Sequence, residues 1–195
     1  MRQQELLVQR LQPLLERRLW SILSWSCGVT AVTFLLYYMI KFPPTTDSVV
    51  GWQFVLHDWP SASISPIHAK PITWFSYFGF LYWAFGLESK RHYLLARGPR
   101  TRKILIAITA LIAFGAFYEI FFYFSLWGAL MSMQDVATLD PDIINVFFES
   151  HPELRNPINV VFASKVVVMA FAMSLYSLWY LARLDKEASS RIETI

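Results

Sequence analysis

Of 195 residues, 55% are hydrophobic, 17% aromatic and only 16% charged, against about 25% charged in soluble domains. The apolar runs leave too little chain for a sizeable soluble core, so the sequence reads as one all-α integral membrane domain over residues 1–195. The single cysteine, Cys27, excludes an internal disulfide, a CxxC redox pair and a cysteine metal site, and the net charge of +3 is explained by membrane topology, so no nucleic-acid partner is expected.

The chain opens with MRQQELLVQRLQPLLERRLW, where Leu7, Leu11, Leu14 and Leu15 recur at helical spacing among Arg and Gln. This predicts an amphipathic helix on the inner membrane face, acting as an interfacial anchor or as a docking helix for a partner subunit. Pro13 is expected to kink it or to open its second half, and no cleavable signal peptide is expected. A first span follows over 19–40. The outer loop 42–70 begins with a Pro-Pro pair and holds Trp52, Phe54 and Trp59, a pattern of order rather than of a linker.

The second span, 71–87, is the shortest of four, and an inner loop over 88–103 joins it to a third span, 104–127. Apolar character continues beyond Trp127, which predicts a tilted or projecting third helix. In the second outer loop, 128–157, Asp140 reads as an N-cap and Pro141 as a first helical residue, giving a short interfacial helix near 141–150. The fourth span covers 158–181.

Basic residues orient these spans. Arg2, Arg10, Arg17 and Arg18 precede the first, Lys90, Arg91, Arg97, Arg100, Arg102 and Lys103 lie between the second and third, and Arg183, Lys186 and Arg191 follow the fourth. The opposite side carries only Lys41, Lys70 and Arg155 among many carboxylates. Both termini are therefore expected on the cytoplasmic or matrix side of a plasma or organelle inner membrane.

Three of the four histidines, His57, His68 and His151, fall on the acidic outer side with Asp58. They are weak metal candidates, because their spacing does not force two ligands onto one helix face, and no metal site is assigned. No histidine lies within a span, which argues against a bis-His haem, and no cofactor is expected to be held by this chain alone. Lipid, quinone or pigment are the candidates for its crowded aromatic surfaces.

The sharpest feature is Glu119, alone in the aromatic run AFYEIFFYF. At about 1.5 Å per residue it lies roughly 22 Å into the third span, level with Lys165, about 10 Å down the fourth. Each would cost several kcal/mol alone in lipid, which predicts an intramembrane ion pair. Gly115 and Ala116, one turn before Glu119, and Ser164 and Ala172, beside Lys165, are the expected helix-contact positions. The pair registers spans three and four, reaches across to another subunit, or belongs to a proton path.

No nucleophile elbow, phosphate-cradling glycine loop or histidine box is present. The expectation is an accessory or structural subunit of a larger membrane complex, energy-transducing (respiratory or photosynthetic) or a membrane oxidase, without catalysis of its own. Its partners would be other membrane subunits and lipids. The alternatives are a small proton-coupled carrier using Glu119 and Lys165, and a metal-dependent membrane enzyme with an outer His site.

Overall fold

A computed structural model describes residues 2–41, 54, 70–137, 142–150 and 157–193, with side chains chiefly over 15–41, 70–126 and 164–190. Among the described residues every regular element is an α-helix: α1 (Arg2–Lys41), α2 (Pro71–Ser89), α3 (Arg91–Ala96), α4 (Pro99–Ala137), α5 (Asp142–Ser150) and α6 (Pro157–Glu193). Among the described residues three stretches are long and apolar enough to cross a membrane, Leu15–Lys41 in α1, Pro99–Leu126 in α4 and Ser164–Ser190 in α6. The chain is thus an all-α, membrane-type protein. The remaining long helix, α2, has 19 residues and is crowded with Trp, Tyr and Phe.

Proline and backbone chemistry set the helix starts. Lys70 is extended (φ −67°, ψ 150°), as the residue before a proline prefers, and Pro71 opens α2 where no N–H is needed. At its other end the Lys90 N–H donates to the carbonyls of Gly86 and Leu87, and the Ser89 hydroxyl donates to Gly86 O at 2.9 Å. α3 closes at Arg97, which is extended, and Pro99 opens α4 with the Arg102 N–H donating to Gly98 O.

Several boundaries differ from the sequence reading. The N-terminal amphipathic helix is continuous with the first span: α1 runs through Pro13 unbroken, carried by strong helix formers on both sides. The inner loop contains α3 and gives its last residues to α4, because Pro99 starts the helix five residues before the apolar run. At the other end α4 continues to Ala137, through the first third of the expected outer loop, and α6 extends to Glu193. α5 occupies the short helix predicted near 141–150; its predicted cap, Asp140 and Pro141, lies outside the described residues.

The helices pack as a row rather than as a closed bundle. α1 packs on α2, α2 on α6 and α6 on α4, with α5 against α4 and the short α3 beside α2 and α6. Each junction has its own chemistry. Between α1 and α2, Phe34 stacks on Phe78 (6.2 Å), Trp20 meets Phe85 (5.6 Å), and the Ser24 hydroxyl donates to Tyr82 O (2.9 Å). Gly28 is required there, since a Cβ would stand 2.9 Å from the Tyr82 ring. Between α2 and α6, Phe80 meets Tyr176 edge-on (5.9 Å) and the Trp83 indole N–H donates to the Ser177 hydroxyl (2.8 Å). Between α4 and α6, Phe117 meets Phe171 (5.9 Å).

Tyr38 of α1 and Ile72 of α2 form a buried cluster with Phe54, backed by Phe34, Leu35 and Phe75. Phe54 comes from the outer segment 42–70, most of which lies outside the described residues. Trp52 and Trp59 lie outside the described residues.

Candidate functional site

Polar chemistry concentrates where α2, α3, α4 and α6 meet around residues 88–103, the connector end of the row. Arg102, in the first turn of α4, is 3% exposed. Its Nε donates to Asp185 Oδ1 on α6 at 2.9 Å, and Nη1 donates to the carbonyls of Leu95 (3.4 Å) and Arg97. Those carbonyls belong to the end of α3, where the helix leaves acceptors unpaired, and a guanidinium with five N–H groups can serve them and a carboxylate together. One residue therefore ties α4, α6 and the close of α3.

A second knot lies beside it on α6, at Glu187, two residues beyond Asp185. Arg91 Nη2 reaches Glu187 Oε2 at 2.6 Å, Arg183 Nε reaches Glu187 Oε1 at 3.2 Å, and the buried Tyr180 hydroxyl donates to Glu88 Oε2 at 3.0 Å. The hydrogen bond from Arg91 to Glu187 holds the guanidinium's pKa above its already high ordinary value, so Arg91 stays charged throughout the physiological range. Its side chain is 39% exposed and that of Glu187 28%, which screens this pair far more than the Arg102 pair. The sequence reading absorbed Arg91 and Arg102 into the topology signal. The missed cue was the acidic complement: Glu88, Asp185 and Glu187 sit among basic residues on the same flanks.

Glu119 and Lys165 behave differently. They stand on α4 and α6, which pack together, yet both side chains are exposed. The three ion pairs among the described residues all lie at the connector end, and none joins Glu119 to Lys165. The helical faces explain this. α4 turns Arg102, Ala113, Ala116 and Leu126 inward, and Glu119 falls on the flank of that stripe. Lys165 shares an exposed stripe of α6 with Val168, Leu175 and Trp179.

The helix-contact positions divide in the same way. Ala116 is buried and Ser164 and Ala172 are half-buried, but Gly115 is exposed and a Cβ there would meet nothing within 4 Å. Gly115 is thus no contact between these helices, because it lies one residue, about 100°, round from the buried stripe. The glycines in close contact are Gly28 against Tyr82, Gly79 against Met169 and Gly86 against Ser24. His57, Asp58, His68 and His151 lie outside the described residues, and among those described no cluster of three metal-ligating side chains occurs.

No protein-family model matches the chain, and neither a curated protein nor a solved structure matches it.

Proposed function

We propose that this chain is a four-span membrane subunit with both termini on the cytoplasmic or matrix side, and that it works as an accessory or structural member of a larger membrane assembly. α2 is the fourth span: it lies between α1 and α6 in the row, and its 19 residues cover about 28 Å, close to a hydrocarbon core of ~30 Å. The placement of Lys and Arg supplies the orientation.

The observation that carries the reading is the pair of opposite charges at span depth, Glu119 and Lys165, both exposed and neither ion-paired among the described residues. A charge turned toward lipid is costly, and polar side chains in spans face a protein interior or an aqueous cavity. On an open row, the covering surface comes from another subunit. Along the same stretch of α4, Phe114, Phe117, Tyr118, Phe121 and Phe122 are exposed, an aromatic surface that suits helix packing against a partner. An energy-transducing complex or a membrane oxidase, with the cofactors in other chains, is the host that this aromatic load favours.

The test is gentle detergent extraction from native membranes, native gel separation and mass spectrometry of what migrates with the chain. The proposal expects a large assembly with other membrane subunits. Migration of the chain alone at its own mass plus a micelle overturns it and moves attention to proton transport through Glu119.

A further inference from the structure

A row of helices has two sides, and one side of this row is marked by a groove of about 400 Å³ between α2 and α4. Ala170, Met173, Ser174 and Ser177 of α6 are its floor, and Leu105, Thr109 and Ile112 are its α4 wall. Thr109, Ser174 and Ser177 spend their hydroxyl protons on carbonyls of their own helices, at 2.8, 2.7 and 2.7 Å, so the lining itself brings hydrocarbon and no charge.

Glu119 belongs to this side. It follows Leu105 by fourteen residues and Ile112 by seven, and seven residues make nearly two whole turns, so Glu119 is rotated only about 20° from Ile112. Lys165 belongs to the other side. It shares an exposed stripe with Val168, Leu175 and Trp179, and at about 100° per residue that stripe is centred about 180° round α6 from the groove floor. Depth does not separate the two charges. Arg102 pairs with Asp185 and Phe117 meets Phe171, so α4 and α6 run antiparallel. Glu119 then lies about 3 Å beyond Phe117, and Lys165 about 9 Å beyond Phe171 in the same direction. The two charges emerge near one level on opposite sides of the row, which is why neither reaches the other.

We infer that the row lies between two different protein surfaces: a partner span carrying a Lys or Arg against Glu119 on the groove side, and a partner span carrying a carboxylate against Lys165 on the reverse side. This presupposes the membrane assembly proposed above and makes the chain a spacer within it. No single helix meets both charges, because α4 and α6 stand between them. A second copy of the chain could bring its Lys165 to Glu119, but a contact between opposite faces of a row repeats from copy to copy without closing, so a bounded assembly needs other chains. Each charge is then neutralised where it is desolvated, and the groove receives apolar side chains of the first partner.

The test places a photo-crosslinking phenylalanine analogue at Ile112, 53% exposed on the groove side, or at Val168, 46% exposed on the reverse side, in native membranes. The two positions should label two different spans, with a Lys or Arg in the one reached from Ile112 and an Asp or Glu in the one reached from Val168. Glu119→Gln should weaken the Ile112 crosslink about tenfold or more and spare the Val168 crosslink, and Lys165→Gln should do the reverse, because truncating one member of a desolvated pair releases its partner. Both charges are exposed, and helicity and elution volume check the fold of the variants. Labelling of one and the same span from both positions, or loss of both crosslinks with either charge change, would overturn the two-sided arrangement alone. Labelling of nothing but a second copy, or of no protein at all, would overturn it together with the proposed assembly.

Discussion

The connector end and the middle of α4 both hold charged residues in a chain that is mostly apolar, and they treat them in opposite ways. At the connector end Arg102 is buried and served by Asp185 and two backbone carbonyls. In mid-span Glu119 is exposed on a flank of its helix, although Lys165 stands on the helix packed beside it. The contrast separates two uses of charge. A buried, hydrogen-bonded arginine organises its own chain, while an exposed charge among apolar side chains is addressed to something outside it.

The largest effect expected on the fold follows from Arg102. Arg102→Met leaves Asp185 and the end of α3 without their donor and should cost about 3–5 kcal/mol, read as lost folded yield or a lowered melting temperature in detergent. Adding Asp185→Leu should recover part of that loss, because a cavity of apolar groups is cheaper than an unpaired carboxylate. An additive double variant would show that the two residues act independently.

The next effect separates two glycines. Gly28→Val forces a branched side chain against the Tyr82 ring and should destabilise by about 1–3 kcal/mol, whereas Gly115→Val, in open space, should change stability by less than about 0.5 kcal/mol. Equal effects would contradict the row order of the helices. Smaller again is Arg91→Gln: its pair with Glu187 is partly exposed, and thermal unfolding should report a loss of at most about 1 kcal/mol. A loss as large as that of Arg102→Met would make the whole connector, and not one buried arginine, the organising element.

Much of the helical layout was legible in the sequence. Apolar length located the long helices, Pro71 marked the start of α2, and the AspProAsp signal of residues 140–142 located α5. The order of the row was not legible, because in a membrane protein the faces turned to lipid and to neighbouring helices are both apolar, and periodicity no longer tells them apart. Gly28 and Gly86 escaped for the same reason, since only packing shows which small residues are approached. Arg102 was hidden by a different cause: positive flanks have a sufficient explanation in topology, so nothing prompted a search for the carboxylate 83 positions away. Glu119 was found at once by its chemistry, but its facing depends on helix rotation, which the sequence does not encode locally.

The central claim, that the mid-span charges are met by another subunit, is tested most directly by placing a photo-crosslinking phenylalanine analogue at Tyr118, the exposed neighbour of Glu119, in native membranes. The account predicts a crosslink to a different membrane protein, lost or strongly reduced when Glu119→Gln is added. Crosslinks to lipid alone, or only to α6 of the same chain, would contradict it.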